Sequence, residues 1–511
     1  METYYGIEAA TGSKIAGDFE LTETDQLDVI MEQAHAAYLA YQSIDANKKG
    51  DFLIAAAEEI EALGEQLISR AMAESGLPEG RIIGERGRTM NQLRLFGAIA
   101  KKGEWVEASI DTADPNREPF AKPDIRKQLE PLGPVIVFGA SNFPLAYSAA
   151  GGDTASALAA GCAVVVKAHP AHPGTSQLVA DAVCRAAERT GMPKNIYQHA
   201  HGAGFELAHG LVKHPLTKAV GFTGSFNGGK ALYDIANERD EPIPVFAEMG
   251  SVNPVLFFPS ALKNQAAVWG KTYAGSITLG SGQFCTNPGL IIAIESEDLD
   301  VFKESMRDTL GTIASQQMLH DGISKAFNQG KSKLESDGIV EIIYAKNEDN
   351  SRLGGPCIAT ASGATFLQNP QLQKELFGPY SLIVACKDEA EMLAIIQSLE
   401  GQLTGTMIID ESELSNFSAH FIALKSVVGR IIFNGVPTGV EVATAMNHGG
   451  PFPATTDSRY SAVGADAIKR FARPVSYQNC PSALLPNALQ NQNAQGIFRK
   501  VNGSFTNDSI Q

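Results

Sequence analysis

From Glu23 to about Gly103, apolar residues recur every three or four positions, as in AHAAYLAYQSI and FLIAAAEEIEALGEQLISRAMAES. That spacing gives a helix one apolar face, and it predicts three successive amphipathic helices. The texture then changes. Between Asp111 and Gly133 the run DTADPNREPFAKPDIRKQLEPLG holds four prolines, too many for a helix, and predicts an extended excursion or edge strands. A regular alternation follows: PVIVFGA, a small-residue helix from about Leu145 to Ala160, AVVVKAH, a helix from Thr175 to about Arg189, NIYQHA, another helix, and KAVGFTG. Short β-branched runs separated by helices of this length predict a parallel sheet with crossovers, the architecture of a nucleotide-binding α/β domain. A second alternation runs from Val255 to about Phe433, opening with VLFF and a helix near Asn264 to Gly280 and closing with LTGTMIID and GRIIFNG. It predicts a second α/β domain. The tail beyond Phe471, rich in Asn, Gln and Pro, is expected to pack across another subunit or lie loosely on the surface. No internal repeat interrupts this order.

The 511 residues, 44% of them hydrophobic, suffice for two or three domains with their own cores. A net charge of −16 repels phosphate backbones and anionic lipid, which argues against nucleic acid and membrane as partners and for a small molecule. The N-terminal METYYGIEAATGSK lacks the basic-then-apolar layout of a secretory signal, so a cytoplasmic location is expected. Six scattered cysteines, without a CxxC pair, read as reduced thiols.

Several residues could carry chemistry. Cys285, in LGSGQFCTNPG, sits in a polar loop flanked by Gly280, Gly282 and Gly289. There the backbone can approach a substrate, and a thiol of lowered pKa would be a nucleophile, although a single cysteine is also a small core residue. Glu248 ends the apolar run VFAE, where a carboxylate is either a solvated strand end or, with its pKa raised by an apolar pocket, a base that activates water. Gly224 and Gly229 in FTGSFNGG mark a strand-to-helix turn able to offer N–H groups to a pyrophosphate, as well as an ordinary turn. Lys167 ends AVVVK, a position for ligand contact at the carboxyl end of a parallel strand or for a plain capping lysine. Asn142 in FGASNFP could donate to a developing oxyanion or simply serve the turn. Glu375 in KELFGP could be a surface carboxylate. His169, His172 and His448 are separated by prolines that break helical register; they read as loop histidines, and no metal site is expected.

FGASNFP, VVVKAHP, FTGS, EMGSVNP, GQFCT, ELFGP and FNG follow one another in the order and spacing of the aldehyde dehydrogenase superfamily, which the chain resembles over nearly its whole length. The resemblance implies an α/β fold with a Rossmann-type cofactor domain (1–110 and 134–249), an α/β catalytic domain (250–440), and a small β oligomerisation extension with the C-terminal tail (111–133 and 441–511). It implies Cys285 as nucleophile, Glu248 as general base, and Asn142 with the backbone N–H of Cys285 as oxyanion hole. Lys167 and Glu375 would hold ribose hydroxyls, Phe377 and Gly250 would lie beside the nicotinamide, and Ser225 with the Gly224 to Gly229 turn would meet the pyrophosphate. A homodimer or homotetramer is implied as well.

The chain departs from the family pattern at two places. Pro170 stands where many relatives carry a glutamate that repels a 2′-phosphate, so NADP is expected to be preferred, with NAD as the alternative. Ser251 replaces a glycine and is expected to tighten the nicotinamide site. PDIRKQ, FGASNFPLAYSAAGGDTASALAAGC, NGVPTGVEV and HGGPFPATTDSR resemble a narrower branch, the 2-oxoglutarate semialdehyde (2,5-dioxopentanoate) dehydrogenases, and their sisters, the NADP-dependent fatty aldehyde dehydrogenases. The former reading makes Arg88 and Arg94, in GERGRTMNQLRLFG, candidate anchors for a substrate carboxylate, with His448 nearby. The competing readings are a long-chain or broad-range aldehyde dehydrogenase and an inert structural or binding protein on the same fold.

Overall fold

The computed structural model describes residues 3–202 and 204–511; Met1, Glu2 and Ala203, which fall within the expected cofactor domain, lie outside the described residues. A hairpin of β1 (Thr3–Ile7) and β2 (Lys14–Glu20) precedes α1 (Leu27–Tyr41), α2 (Ala46–Ala62), α3 (Gly64–Ser75) and α4 (Glu79–Lys102). Four helices stand where the periodicity predicts three. The break falls at Gly64, whose φ of +53° is left-handed, so the apolar face continues across it while the helix does not.

The proline-rich excursion supplies β3 (Ser109–Asp111) and β4 (Ile125–Pro131). The cofactor-type sheet then follows with β5 (Val135–Phe138), α5 (Gly152–Ala160), β6 (Val164–Lys167), α6 (Pro173–Arg189), β7 (Tyr197–Ala200), α7 (Glu206–Lys213), β8 (Ala219–Thr223), α8 (Phe226–Asn237) and β9 (Val245–Glu248). All five strands are parallel, in the order β7-β6-β5-β8-β9. The winding reverses between β5 and β8, which opens a crevice beyond the carboxyl ends of the strands. The apolar runs of β5 and β6 are buried on both faces, as a sheet covered by helices requires. α5 begins seven residues later than its composition predicts. The N–H groups of Leu145 and Ala146 donate instead to the buried Glu85 carboxylate, at 2.9 and 3.0 Å, and hold that stretch in turns.

The second domain is a seven-stranded sheet in which Tyr380–Cys386, Leu290–Ile294 and Val255–Phe257 lie at the centre; only its Glu341–Ala345 edge runs antiparallel. The helix predicted from Asn264 extends over Pro259–Thr278. Beyond it Gly280, Ser281 and Gly282 are all left-handed, a tight reversal that delivers the Cys285 loop to the domain boundary. A Cβ on Gly282 would lie 2.2 Å from the Gly378 carbonyl oxygen, so that close approach needs glycine.

Two expectations are corrected. Residues 441–471 do not belong with the extension: Ala467, Ile468 and Phe471 pack into the core of the cofactor-type domain, and Arg470 forms a buried ion pair of 2.7 Å with Asp153. The tail is not loose, because Ala472–Gln478 pairs in register with the whole of β4. Arg499–Val501 and Ser504–Thr506 complete that five-stranded sheet. Arg499, 1% exposed, is committed to the carbonyls of Ala488 and Gln490, so the polar tail is ordered by internal hydrogen bonds. Among the described residues no helix is long and apolar enough to cross a membrane.

Removing one partner of a buried ion pair strands the other charge. Arg470→Ala is therefore expected to destabilise the fold by about 3–5 kcal/mol, read in denaturant unfolding; an unchanged midpoint would contradict the pair's role.

Candidate active site

Three chain segments meet at the domain boundary. Glu248 ends β9 and is 4% exposed, Cys285 lies half-buried in the loop after the left-handed turn, and His448 comes from the returning segment, fully buried. His448 Nε2 stands 3.5 Å from Cys285 Sγ and 3.1 Å from Glu248 Oε1, so one imidazole bridges thiol and carboxylate. Ser461 Oγ accepts from the His448 backbone N–H at 2.9 Å and fixes the loop. The histidine was read from sequence as a loop residue near the substrate; its place between Glu248 and Cys285 is a feature the local pattern does not carry, since its partners lie 163 and 200 residues away.

The electrostatics reverse the expectations. Burial, and then the negative charge of Glu248, push the Cys285 thiol well above its ordinary value. Burial acts to raise Glu248, but the adjoining His448 outweighs it and holds the carboxyl below the ordinary range. The resting site thus pairs an ionised carboxylate with a protonated thiol.

The loop is held from below by Asn253, whose Nδ2 donates to the carbonyls of Cys285 and Asn287, both at 2.9 Å. Ser251 Oγ donates to Gln402 Oε1 at 2.9 Å and accepts from the Leu403 N–H at 3.0 Å. Ser251 therefore ties the turn after Glu248 to the second sheet. Asn142 Nδ2 donates to the Gln283 carbonyl at 3.2 Å, which orients the amide beside the nucleophile loop and leaves its second hydrogen free to donate.

A cavity of about 270 Å³ leads to Cys285 between Phe143, Phe284, Tyr147, Arg81 and Arg88. Arg81, Glu85 and Arg88 share one face of α4 by their i, i+4, i+7 spacing. Arg81 is neutralised by Glu85 at 2.5 Å. Arg88 donates through Nη1 to the Val440 carbonyl, while its buried Nε and Nη2 have no partner. Arg94 does not reach the cavity; it pairs with Glu61 on the surface at 3.0 Å, with both side chains about half exposed, and is dropped as an anchor. Sequence reading missed Thr286 and Tyr147, both on the cavity wall.

On the other side of Cys285 lies the crevice of the parallel sheet. Lys167 is 8% exposed, and burial lowers its ammonium to about 8; among the described residues no hydrogen bond meets it. Gly224 N–H bonds the Glu248 carbonyl and Gly229 N–H bonds the Ser225 carbonyl, each at 3.0 Å, so neither is free for a phosphate. Ser225 Oγ caps α8 by accepting from Gly228 N–H at 3.2 Å. The open donors at this turn are the Phe226 and Asn227 N–H groups. Gly229 instead makes room for Met249, which a Cβ would approach to 2.7 Å. Glu375, Phe377 and Ser251 line a small hollow, and a Cβ on Gly250 would stand 2.7 Å from Glu375 Oε2. Enclosure pushes the Glu375 carboxyl up to about 8, but the side chain keeps open surface, where water offsets much of that effect.

The aldehyde dehydrogenase family model matches residues 2–451. Alpha-ketoglutaric semialdehyde dehydrogenase 2 of Azospirillum brasilense is 48% identical over 473 residues, covering 92% of this chain and 90% of its own. The alpha-ketoglutaric semialdehyde dehydrogenase of Acinetobacter baylyi is 45% identical over 490 residues, covering 96% and 93%. Among solved structures, the R100A mutant of Thermus thermophilus 1-pyrroline-5-carboxylate dehydrogenase superposes with a TM-score of 0.78 at 17% identity, covering 93% of this chain and 90% of that one.

A raised thiol pKa makes alkylation of Cys285 by iodoacetamide in the free protein climb steadily from pH 7 to 9, without an early plateau. Glu248→Gln removes the charge that opposes the thiolate and should speed alkylation at fixed pH, about tenfold for each pK unit recovered. A plateau below pH 7, or slower alkylation of the variant, would contradict this reading.

Proposed function

Because the chain belongs to the aldehyde dehydrogenase family, we propose that it oxidises 2,5-dioxopentanoate, the semialdehyde of 2-oxoglutarate, to 2-oxoglutarate, with NADP preferred over NAD. The observation that carries the substrate is Arg88. A guanidinium with two buried, unpartnered N–H groups on the cavity wall is costly beside an alkyl chain and complementary to a carboxylate. The relatives named for this semialdehyde support the same reading.

In this mechanism Cys285 Sγ attacks the aldehyde carbon while its proton leaves to solvent by way of the adjoining Glu248 carboxylate, which His448 Nε2–H holds in place at 3.1 Å. The free hydrogen of the Asn142 amide and the backbone N–H of Cys285 receive the oxyanion. A bound nicotinamide dinucleotide would supply the hydride acceptor. Glu248 Oε2, buried and without a donor, then takes a proton from the water that cleaves the Cys285 thioester, and the thiol is regenerated.

The residues of the crevice fit such a cofactor. Lys167, a buried cation without a partner, would hold ribose hydroxyls; the Phe226 and Asn227 N–H groups would meet the pyrophosphate; Glu375 and Phe377 would flank the nicotinamide half. No carboxylate stands at Pro170, and the buried Glu74 of this region is consumed by the Gly174 and Thr175 N–H groups and by Arg70, so little opposes a 2′-phosphate. We place the enzyme in the cytoplasm as a homodimer or homotetramer, a reading supported by six unpaired cysteines and by the separate extension sheet.

Reduced-nicotinamide formation tests the substrate. 2,5-Dioxopentanoate should give a higher kcat/KM than a long-chain aldehyde, NADP a higher one than NAD, and Cys285→Ala should be inactive. Losing a charged hydrogen bond costs about 1.5–3 kcal/mol, so Arg88→Ala should raise KM for the dioxo acid about 10- to 100-fold and spare simple aldehydes, while Arg94→Ala changes neither. A preference for the long-chain aldehyde would move the enzyme to the fatty-aldehyde reading, and silence with both aldehydes to the inert one.

A further inference from the structure

We propose that the free enzyme binds one Zn²⁺, or a similar borderline-soft divalent transition ion, between Cys285, His448 and Glu248, and that this ion reversibly locks the nucleophile. The three side chains each present one ligand atom, and these atoms lie within 4.8 Å of one another. A tetrahedral zinc site with ordinary Zn–S, Zn–N and Zn–O bonds separates its ligand atoms by about 3.4–3.6 Å. Here sulfur to imidazole nitrogen is 3.5 Å and that nitrogen to the carboxylate oxygen 3.1 Å, within a few tenths of an ångström of those separations, while sulfur and carboxylate oxygen, no more than 4.8 Å apart, close on the ion by a side-chain adjustment of about 1 Å at most.

A second observation points to a cation. Glu248 is 4% exposed, yet its Oε2 has no hydrogen-bond partner, a buried carboxylate oxygen left free while Oε1 meets the fully buried imidazole. The donors come from β9, the loop after the left-handed turn and the returning segment, all held by their own backbone contacts, so little ordering is needed on binding. The substrate cavity reaches Cys285 and provides both the route in and the fourth coordination position for water. Three protein ligands and one open position describe a site that captures an ion and releases it to a chelator.

The step balances without redox change. The Cys285 S–H bond breaks, an S–Zn bond forms, and the proton leaves to solvent, so capture strengthens as pH rises. With sulfur engaged and Glu248 and His448 coordinated, the enzyme has neither nucleophile nor base. Capture depends on the three donors and not on which aldehyde is oxidised.

Cobalt(II) is the direct probe, added to chelator-treated protein without cofactor. One equivalent should bind and produce a thiolate-to-metal charge-transfer band in the near ultraviolet, which Zn²⁺ then removes by displacement. His448→Asn should weaken binding at least about 100-fold, and Cys285→Ser should abolish the band. In the wild-type protein, Zn²⁺ should protect Cys285 from iodoacetamide and suppress turnover, with both restored by EDTA; this readout needs no variant. Absence of the band, an unchanged affinity in His448→Asn, or alkylation of Cys285 at full rate in saturating Zn²⁺ would each overturn the proposal. Turnover measured in EDTA reports the oxidation independently, so failure of metal capture leaves the proposed reaction standing.

Discussion

The architecture turns on burying an imidazole between a carboxylate and a thiol. Glu248 and His448 are almost wholly removed from water and need each other there: the ionised carboxylate is tolerable because the ring nitrogen stands 3.1 Å away, and that nitrogen finds its partner in the carboxylate. That mutual need fixes the geometry of Cys285, whose sulfur faces the same imidazole nitrogen. The same enclosure explains why the thiol rests protonated: burial, and then the nearby carboxylate, oppose a second negative charge until a reacting carbonyl can receive it.

The scaffold is arranged to hold this contact. Glu248 comes from the carboxyl end of the first parallel sheet, Cys285 from a loop tied by Asn253 to the edge of the second domain, and His448 from a segment that crosses back after the second sheet is complete. The crossing is secured further along by Phe471 in the first core and by the Asp153–Arg470 pair. The boundary between domains is therefore the site itself, with the crevice around Lys167 on one side of the sulfur and the cavity around Arg88 on the other.

Much of this was legible in the sequence because parallel strands buried on both faces write continuous β-branched runs, as at Val164–Lys167, and because Lys167, Glu248 and Asn142 sit where such strands end. The position of Cys285 among glycines was equally readable. What was hidden depends on long-range geometry. A single left-handed residue, Gly64, splits a run of uniform amphipathic character; the polar tail becomes ordered only through Arg499 and its pairing with β4. The equivalence of Arg88 and Arg94 as anchors dissolved once their different sides of α4 were known. His448 had the least local signal of all, since nothing in AMNHGGP announces a carboxylate 200 residues and a thiol 163 residues upstream.

The central claim is that Cys285 carries the acyl group and Glu248 is needed to release it. Mass spectrometry of Glu248→Gln after a single turnover with 2,5-dioxopentanoate and NADP tests it most directly. The account predicts reduced cofactor formed in a burst and the five-carbon acyl group trapped as a thioester on Cys285. A burst with no adduct, or an adduct on any other residue, would contradict it.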